Sequence, residues 1–256
     1  MTEKPTSIAE IKKQLAEISD VKDSRIQLWQ NDSRKGVQTA LNQWQNRLAK
    51  KAQLIENYQK MQEFEKLAYL KGYKYIAGID EVGRGPLAGP VVSAAVILKS
   101  DANLVGINDS KQLSQQKRAA LLLEIKKQAV AIGVGIIEAE VIDQVNIYEA
   151  TKLAMQAAID QLEPQPDFLL IDAMKLANNL PQENLIKGDA RSISIAAASI
   201  VAKETRDQMM QEFAEVYPGY GFEKNAGYGT KEHLAGLEKF GITAIHRRSF
   251  APIKDM

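Results

Sequence analysis

Residues 74–98 constrain the fold most. Two apolar runs, Lys74–Asp80 (KYIAGID) and Val91–Leu98 (VVSAAVIL), are joined by Glu81–Pro90, a link rich in glycine and proline. Runs of this kind read as buried strands. Ala131–Glu138 (AIGVGIIE) and Phe168–Asp172 (FLLID) are two further strand candidates. Helical stretches are expected at Gln115–Gln128, Tyr148–Leu162, Ile195–Val216 and Lys231–Phe240. Strands early, then strands alternating with helices, argue for an α/β domain built on a mixed sheet.

The first 73 residues have a different texture. Ser7-Ile8-Ala9-Glu10 has the spacing of a capping box, and Ile8, Ile11, Leu15 and Ile18 follow at helical intervals. That helix should stop near Ser19-Asp20. A second start signal sits at Asp32-Ser33, after which Val37, Leu41, Trp44, Leu48, Ile55 and Tyr58 recur with helical period. No breaker appears before Gly72, so the segment is either one long helix, approaching ~55 Å at ~1.5 Å per residue, or a hinged pair. The expected boundary lies near Gly72, with a helical extension over 1–72 and the α/β domain over 73–256. Trp29 and Trp44 read as packing anchors of the extension.

Charge divides along the same line. Residues 1–73 carry 13 basic and 9 acidic side chains, a net of +4, and 74–256 carry 20 and 23, a net of −3. A basic arm is compatible with a polyanionic partner. Cysteine is absent, which excludes a disulfide scaffold, a thiolate zinc site and a Cys nucleophile. It also fits a reducing compartment, and with neither a secretory signal nor a membrane-spanning run the expected location is the cytoplasm.

The acids lie where strand ends put chemistry. One apolar strand ends in Asp80-Glu81 and another in Asp172. A short segment, Leu185–Asp189, ends in an acid just before a small-residue helix. In open α/β sheets ligands bind in the crevice at the carboxyl ends of strands. Acids gathered there repel one another unless a cation lies among them. Oxygen-only donors suit Mg²⁺ or Mn²⁺, and a chain with no Cys and two His offers little else. Asp80 and Glu81 are strand neighbours and reach one site only if the strand ends there, which Gly83 allows. Gly83 and Gly85 would let bare backbone approach a ligand, with Arg84 as a cation suited to phosphate. The third glycine is one residue late for a dinucleotide loop, and the Lys-Ser/Thr of a Walker loop is missing.

The full string Gly78–Val92, GIDEVGRGPLAGPVV, closely resembles the first motif of ribonuclease HII, the type 2 ribonuclease H family. Asn108–Ser114 (NDSKQLS) resembles its DSK-x-L segment, and Leu169–Asp172 its central Asp strand. Lys187–Asp207 (KGDARSISIAAASIVAKETRD) is similar to its fourth-acid motif and the helix that follows. Asn225–Leu234 (NAGYGTKEHL) resembles the block with the family's substrate-contacting tyrosine, and His246–Phe250 (HRRSF) its C-terminal block. The resemblance spans about 75–250, and the helical extension is similar to one on many bacterial members.

The resemblance implies a ribonuclease H-like mixed β-sheet flanked by helices, preceded by a small all-α domain. It implies Asp80, Glu81, Asp172 and Asp189 as catalytic, metal-binding acids for two Mg²⁺ or Mn²⁺ ions. Gly83-Arg84-Gly85 would read the ribonucleotide 2′-OH, and Tyr228 would sit against the sugar at the ribose–deoxyribose step. Ser110, Lys111, Lys203, and Ser194 or Ser199 are further phosphate-contact candidates. The implied substrates are RNA–DNA hybrids and ribonucleotide-containing duplex DNA, cut by a monomer that acts in ribonucleotide excision repair. Two alternatives are a non-catalytic hybrid-binding module and a nucleotide-binding α/β protein. The four acids argue against the first and the missing Lys-Ser/Thr against the second. His233 and His246 read as capping, core or surface residues.

Overall fold

The computed structural model describes residues 6–256. The first five positions of the expected extension lie outside them. The chain forms two compact units, Met1–Asn57 and Tyr58–Met256.

In the first unit, α1 (Ile8–Glu17) starts on Ser7, whose Oγ accepts from the Glu10 N–H at 3.2 Å. A short helix, α2 (Ser24–Gln30), follows an Asp23 cap, and α3 (Lys35–Met61) begins after the turn at Asp32-Ser33. The helical spacing buries Ile11, Leu15, Ile18, Val37, Leu41 and Trp44 together with Ile26 and Trp29. Trp44 donates its indole N–H to the Ile18 carbonyl at 2.9 Å, so both tryptophans serve packing. Of the two readings of the long periodic segment, the hinged pair is the observed one: α3 ends at Met61 and α4 (Glu63–Leu70) starts after Gln62.

The second unit begins before the boundary at Gly72. Tyr58 and Met61 belong to the core that includes β2 and the main helix of the domain, and Ala68 to the core of Ile76 and Phe168. Tyr58 donates its hydroxyl to the Ala102 carbonyl at 2.5 Å. Apolar burial, which sequence composition does not localise, therefore assigns 58–72 to this unit.

Its sheet has five strands in the order β3-β2-β1-β4-β5. They are β1 (Ile76–Val82), β2 (Val91–Leu98), β3 (Ala129–Ile137), β4 (Phe168–Asp172) and β5 (Gln182–Leu185). β1–β3 are antiparallel neighbours, while β4 runs parallel to β1 and β5 parallel to β4. The helices are α5 (Gln115–Gln128), α6 (Ala139–Asp160, kinked at Asn146), α7 (Ile193–Val216), α8 (Phe222–Asn225) and α9 (Lys231–Phe240). β1 alternates as a strand must. Ala77 and Ile79 face Met155, Ala158 and Ile159 of α6, while Ile76 packs with Ile195 of α7 on the other side. Gly78 faces α7 so closely that a Cβ there would lie 2.0 Å from the Ser194 carbonyl carbon. No helix among the described residues is long and apolar enough to cross a membrane.

Candidate active site at the strand ends

The strand pairings set two acids side by side. Ile79 is in register with Ile171 on the parallel strand β4, so Asp80 and Asp172 follow at the same level of the sheet. The sequence expected the first strand to end at Asp80. Instead β1 runs on to Val82, and the left-handed Gly83 (φ +91°) turns the chain immediately after it. Asp189 is not on a strand end. It sits in a 3₁₀ turn, Gly188–Ala190, between β5 and α7, and Ser192 caps the helix that follows.

These four carboxylates form one electrostatic cluster. Asp80 is buried, and its carboxyl is held well above the usual range by that burial first, then by the charge of Glu81, with Asp172 adding to it. Burial likewise raises Glu81, with Asp172 adding to the rise and Arg84 opposing it. Asp189 is pushed up to about 6 by burial, then by Asp109 and Asp172. Asp109 is thus a fifth acid at the site. It caps the turn at Ser110–Gln112, and its carboxyl lies close enough to Asp189 to raise it. Sequence reading passed over it as part of the DSK segment.

Among the described residues, no group of three or more His, Cys, Asp and Glu side chains is arranged to hold an ion. Asp80 Oδ1 accepts from the Glu81 N–H, and Asp172 Oδ1 from the Gly188 N–H, each at 2.7 Å. Glu81 Oε2 is buried with no hydrogen-bond partner. Buried acids whose neighbours' charges oppose their ionisation, with one oxygen orphaned, are a donor set short of positive charge. Hard oxygen donors of that kind fit a divalent cation.

The glycine loop is held from behind by two arginines. Arg247 and Arg206 are almost wholly buried, and among the described residues neither guanidinium forms an ion pair with a carboxylate. Arg247 donates to the carbonyls of Gly83, Arg84 and Gly89, and Arg206 to those of Ala88, Pro90 and Ala226. Burial lowers Arg247 to about 9, with Arg206 contributing, and lowers Arg206 to about 10. Arg84 itself points outward, 3.4 Å from Glu81 Oε1. A Cβ at Gly85 would lie 3.4 Å from Cε1 of the half-exposed Tyr228 ring, so loop and tyrosine are neighbours. Sequence reading missed both buried arginines. The signal for Arg206 was a charge on the stripe Ile195, Ser199, Ala202, Arg206, whose helical spacing is that of a core face.

The remaining candidates divide. Ser110 is buried and its Oγ lies 2.9 Å from Ser199 Oγ, and the Ser199 hydroxyl is near enough to draw Asp80 toward its charged form. The Ser194 N–H instead donates to buried Glu65, away from the acids. Lys111 is exposed and close enough to draw both Glu81 and Asp189 toward their charged forms. Lys203 pairs with Asp207 at 2.6 Å, in a network where Arg118 reaches Glu204 and Asp207.

Comparison with known proteins matches residues 77–253 to the family model described as Ribonuclease HII, and residues 7–69 to the Ribonuclease HII N-terminal domain. Ribonuclease HII of Enterococcus faecalis is 62% identical over 98% of each chain, and that of Bacillus subtilis 52% over 97%. Among solved structures, ribonuclease H2 from Pyrococcus horikoshii superposes with a TM-score of 0.62 at 24% identity, covering 71% of this chain and 96% of its own. The Archaeoglobus fulgidus ribonuclease HII, solved as a complex with PCNA, gives 0.60 at 27% identity, covering 69% and 95%. A Bst ribonuclease HIII solved with Mn²⁺ gives 0.53 at 20% identity, covering 70% and 68%.

Proposed function

The chain belongs to the ribonuclease HII family. From that membership we propose a divalent-metal-dependent endonuclease that hydrolyses the RNA strand of RNA–DNA hybrids and cuts at ribonucleotides embedded in duplex DNA, leaving 5′-phosphate and 3′-hydroxyl ends. The observation that carries this reading is the cluster of mutually repelling carboxylates, one with an orphaned oxygen, beside a glycine loop braced by Arg247.

Asp80, Glu81, Asp172 and Asp189 would hold two Mg²⁺ or Mn²⁺ ions. When bound, such a pair supplies a nucleophilic water at neutral pH and stabilises charge on the leaving oxygen of an in-line displacement. The chain's own groups do the rest. Ser199, on α7, would favour the charged form of the Asp80 carboxyl. Lys111 is a cation close enough to act on Asp189 and Glu81 and would draw in a backbone phosphate. Arg247 holds the carbonyls of Gly83 and Arg84 inward, which fixes the peptide planes that would meet the sugar. The 2′-OH distinguishes RNA from DNA, so a backbone loop in contact with it gives sugar specificity without base specificity. Tyr228 would cover the sugar from the other side of Gly85. The same reading has the protein acting as a cytoplasmic monomer in ribonucleotide excision repair.

Incubating a duplex that carries one ribonucleotide with Mg²⁺ or Mn²⁺, against an all-DNA duplex, tests it. One cut at the ribonucleotide and none in the control is expected. Tight binding of the duplex with no turnover under either metal would instead make the chain a hybrid-binding module.

A further inference from the structure

The two histidines of the chain face each other in the interior. His233, on α9, and His246, in the C-terminal block, are 0% and 2% exposed, and their Nε2 atoms are 3.0 Å apart. Neither carries out a step in the proposed chemistry. The groups around them nonetheless fix the role of each ring nitrogen.

The Thr243 backbone N–H, which can only donate, lies 2.9 Å from His246 Nδ1, with Thr243 Oγ1 at 2.8 Å. His246 Nδ1 is therefore an acceptor, and in the neutral ring the proton sits on Nε2. That proton is directed at His233 Nε2, which must accept it, so the His233 proton sits on Nδ1. His233 Nδ1 lies 3.0 Å from the Tyr228 carbonyl oxygen, which can only accept. Every bond in the chain Thr243, His246, His233, Tyr228 thus runs in one direction, with no donor facing a donor.

Rings of Tyr220 and Phe222 close around the pair, with His233 edge-on to both. Burial keeps both imidazoles neutral, lowering His246 to about 4, with the His233 ring contributing. The Tyr228 carbonyl also accepts from the Thr230 N–H at 2.7 Å, and the Tyr228 N–H donates to the Asn225 carbonyl at 2.9 Å. The peptides on both sides of Tyr228 are consequently held, and the ring is set beside Gly85.

We infer that His246 and His233 are positioning residues for Tyr228: a one-way hydrogen-bond relay, anchored at the Thr243 backbone, that fixes where the tyrosine ring stands over the glycine loop and so where along a ribonucleotide tract the cut falls. The inference rests on the reading of Tyr228 as the residue against the sugar.

Asparagine and glutamine separate the relay from simple core packing, because Asn mimics the Nδ1 side of histidine and Gln the Nε2 side. His233→Asn keeps the donor to the Tyr228 carbonyl and loses the bond to His246. His233→Gln keeps the bond to His246 and loses the one to Tyr228. Each removes one buried hydrogen bond, so packing alone predicts equal effects. The relay predicts that His233→Gln lowers kcat about tenfold at little-changed KM and spreads the cuts across a four-ribonucleotide tract in duplex DNA, while His233→Asn stays within about threefold of wild type and cuts at the same step. At the other ring, His246→Gln keeps the donor to His233 and should outperform His246→Asn, which gives a second comparison if one His233 variant fails to fold. Equal behaviour within both pairs, with Tyr228→Ala defective, overturns the relay and leaves the tyrosine's role intact. A Tyr228→Ala protein with unchanged rate and cut positions overturns the tyrosine's role and the relay with it.

Discussion

Arg247 and Gly83 are separated by 164 positions in sequence, yet the Arg247 guanidinium donates to the Gly83 carbonyl and, at 2.9 Å, to that of Arg84. A buried guanidinium that bonds only carbonyls is a brace, and lysine cannot replace its planar set of donors. Arg247→Lys should leave at least two buried carbonyls unpaired, cost about 2–3 kcal/mol of stability and lower cleavage at a single ribonucleotide more than tenfold. A thermal melt and a single-turnover assay check both effects. An unchanged melt would mean that water replaces the guanidinium.

Asp80→Asn should reduce cleavage by about 100-fold or more while hybrid binding survives, because one of the carboxylates that would hold the ions loses its charge. It should also stabilise the metal-free protein near neutral pH. The folded pKa of Asp80 is raised, so its contribution to stability is full below the ordinary carboxyl pKa and lost as pH rises through the raised value. The gap in Tm between variant and wild type should therefore widen from pH 4 to pH 8. Added Mg²⁺ or Mn²⁺ should narrow it by stabilising the wild type.

The two loop glycines should respond differently. Gly83 has φ +91° and a Cβ there would lie 2.3 Å from Arg206 Nε, so Gly83→Ala should lower Tm as well as activity. Gly85 has no strained backbone, and its Cβ would make only an ordinary contact with Tyr228. Gly85→Val should thus keep the Tm and lose cleavage. Normal cutting by a well-folded Gly85→Val protein would remove the loop from sugar recognition.

The His246 folded pKa of about 4 lies below the ordinary histidine value of 6.5. Above 6.5 neither state binds the proton. As pH falls from 6.5 through about 4 the unfolded chain takes up a proton that the folded chain refuses, so stability is lost over that window, by at most about 3 kcal/mol. Denaturant titrations at pH 4.5 and pH 7.5 should show a larger acid loss for wild type than for His246→Gln. Equal losses would mean the pair is protonated inside the folded protein.

Where a truncation is made decides what it tests. A chain starting at Tyr58 should keep the Tm of the catalytic unit and lose hybrid affinity, with a salt dependence flatter by about one to three phosphates' worth. A chain starting at Tyr69 should lose Tm as well. It lacks Glu65, a carboxylate lifted by burial that accepts from Ser192 Oγ at 2.6 Å and from the Ser194 N–H at 3.0 Å, at the start of α7. An equal salt slope for the Tyr58 chain and the full chain would make residues 6–57 scaffold only.

What could be read from sequence was what burial repeats in composition. The apolar runs at Val91–Leu98 and Phe168–Asp172 became β2 and β4 with the expected bounds, since strands covered on both faces are nearly continuous in apolar and small residues. The edge strand β5, Gln182–Leu185, escaped notice because three of its four residues are exposed or half-exposed polar side chains. The first turns of α6 were missed because Asn146, at φ +69°, kinks the helix there. Asp80, Glu81 and Asp172 were legible as acids closing apolar runs, whereas Asp189 lies in a 3₁₀ turn that its short apolar segment did not announce. Asp109, Glu65, Arg206 and Arg247 were not legible, because each acquires its role from a partner far along the chain.

The contact of Gly78 with the Ser194 backbone has a consequence for how the protein opens. With helix and strand backbones touching and no side chain between them, β1 and α7 cannot separate by a small sliding motion, and Asp80 lies two residues beyond that contact while Asp189 lies five before it. The acid cluster accordingly has no private melting transition. Amide hydrogens of Ile79 and Ile195 should exchange only as fast as the whole catalytic unit unfolds, so that rigidity at the strand ends is inherited from the deepest part of the fold.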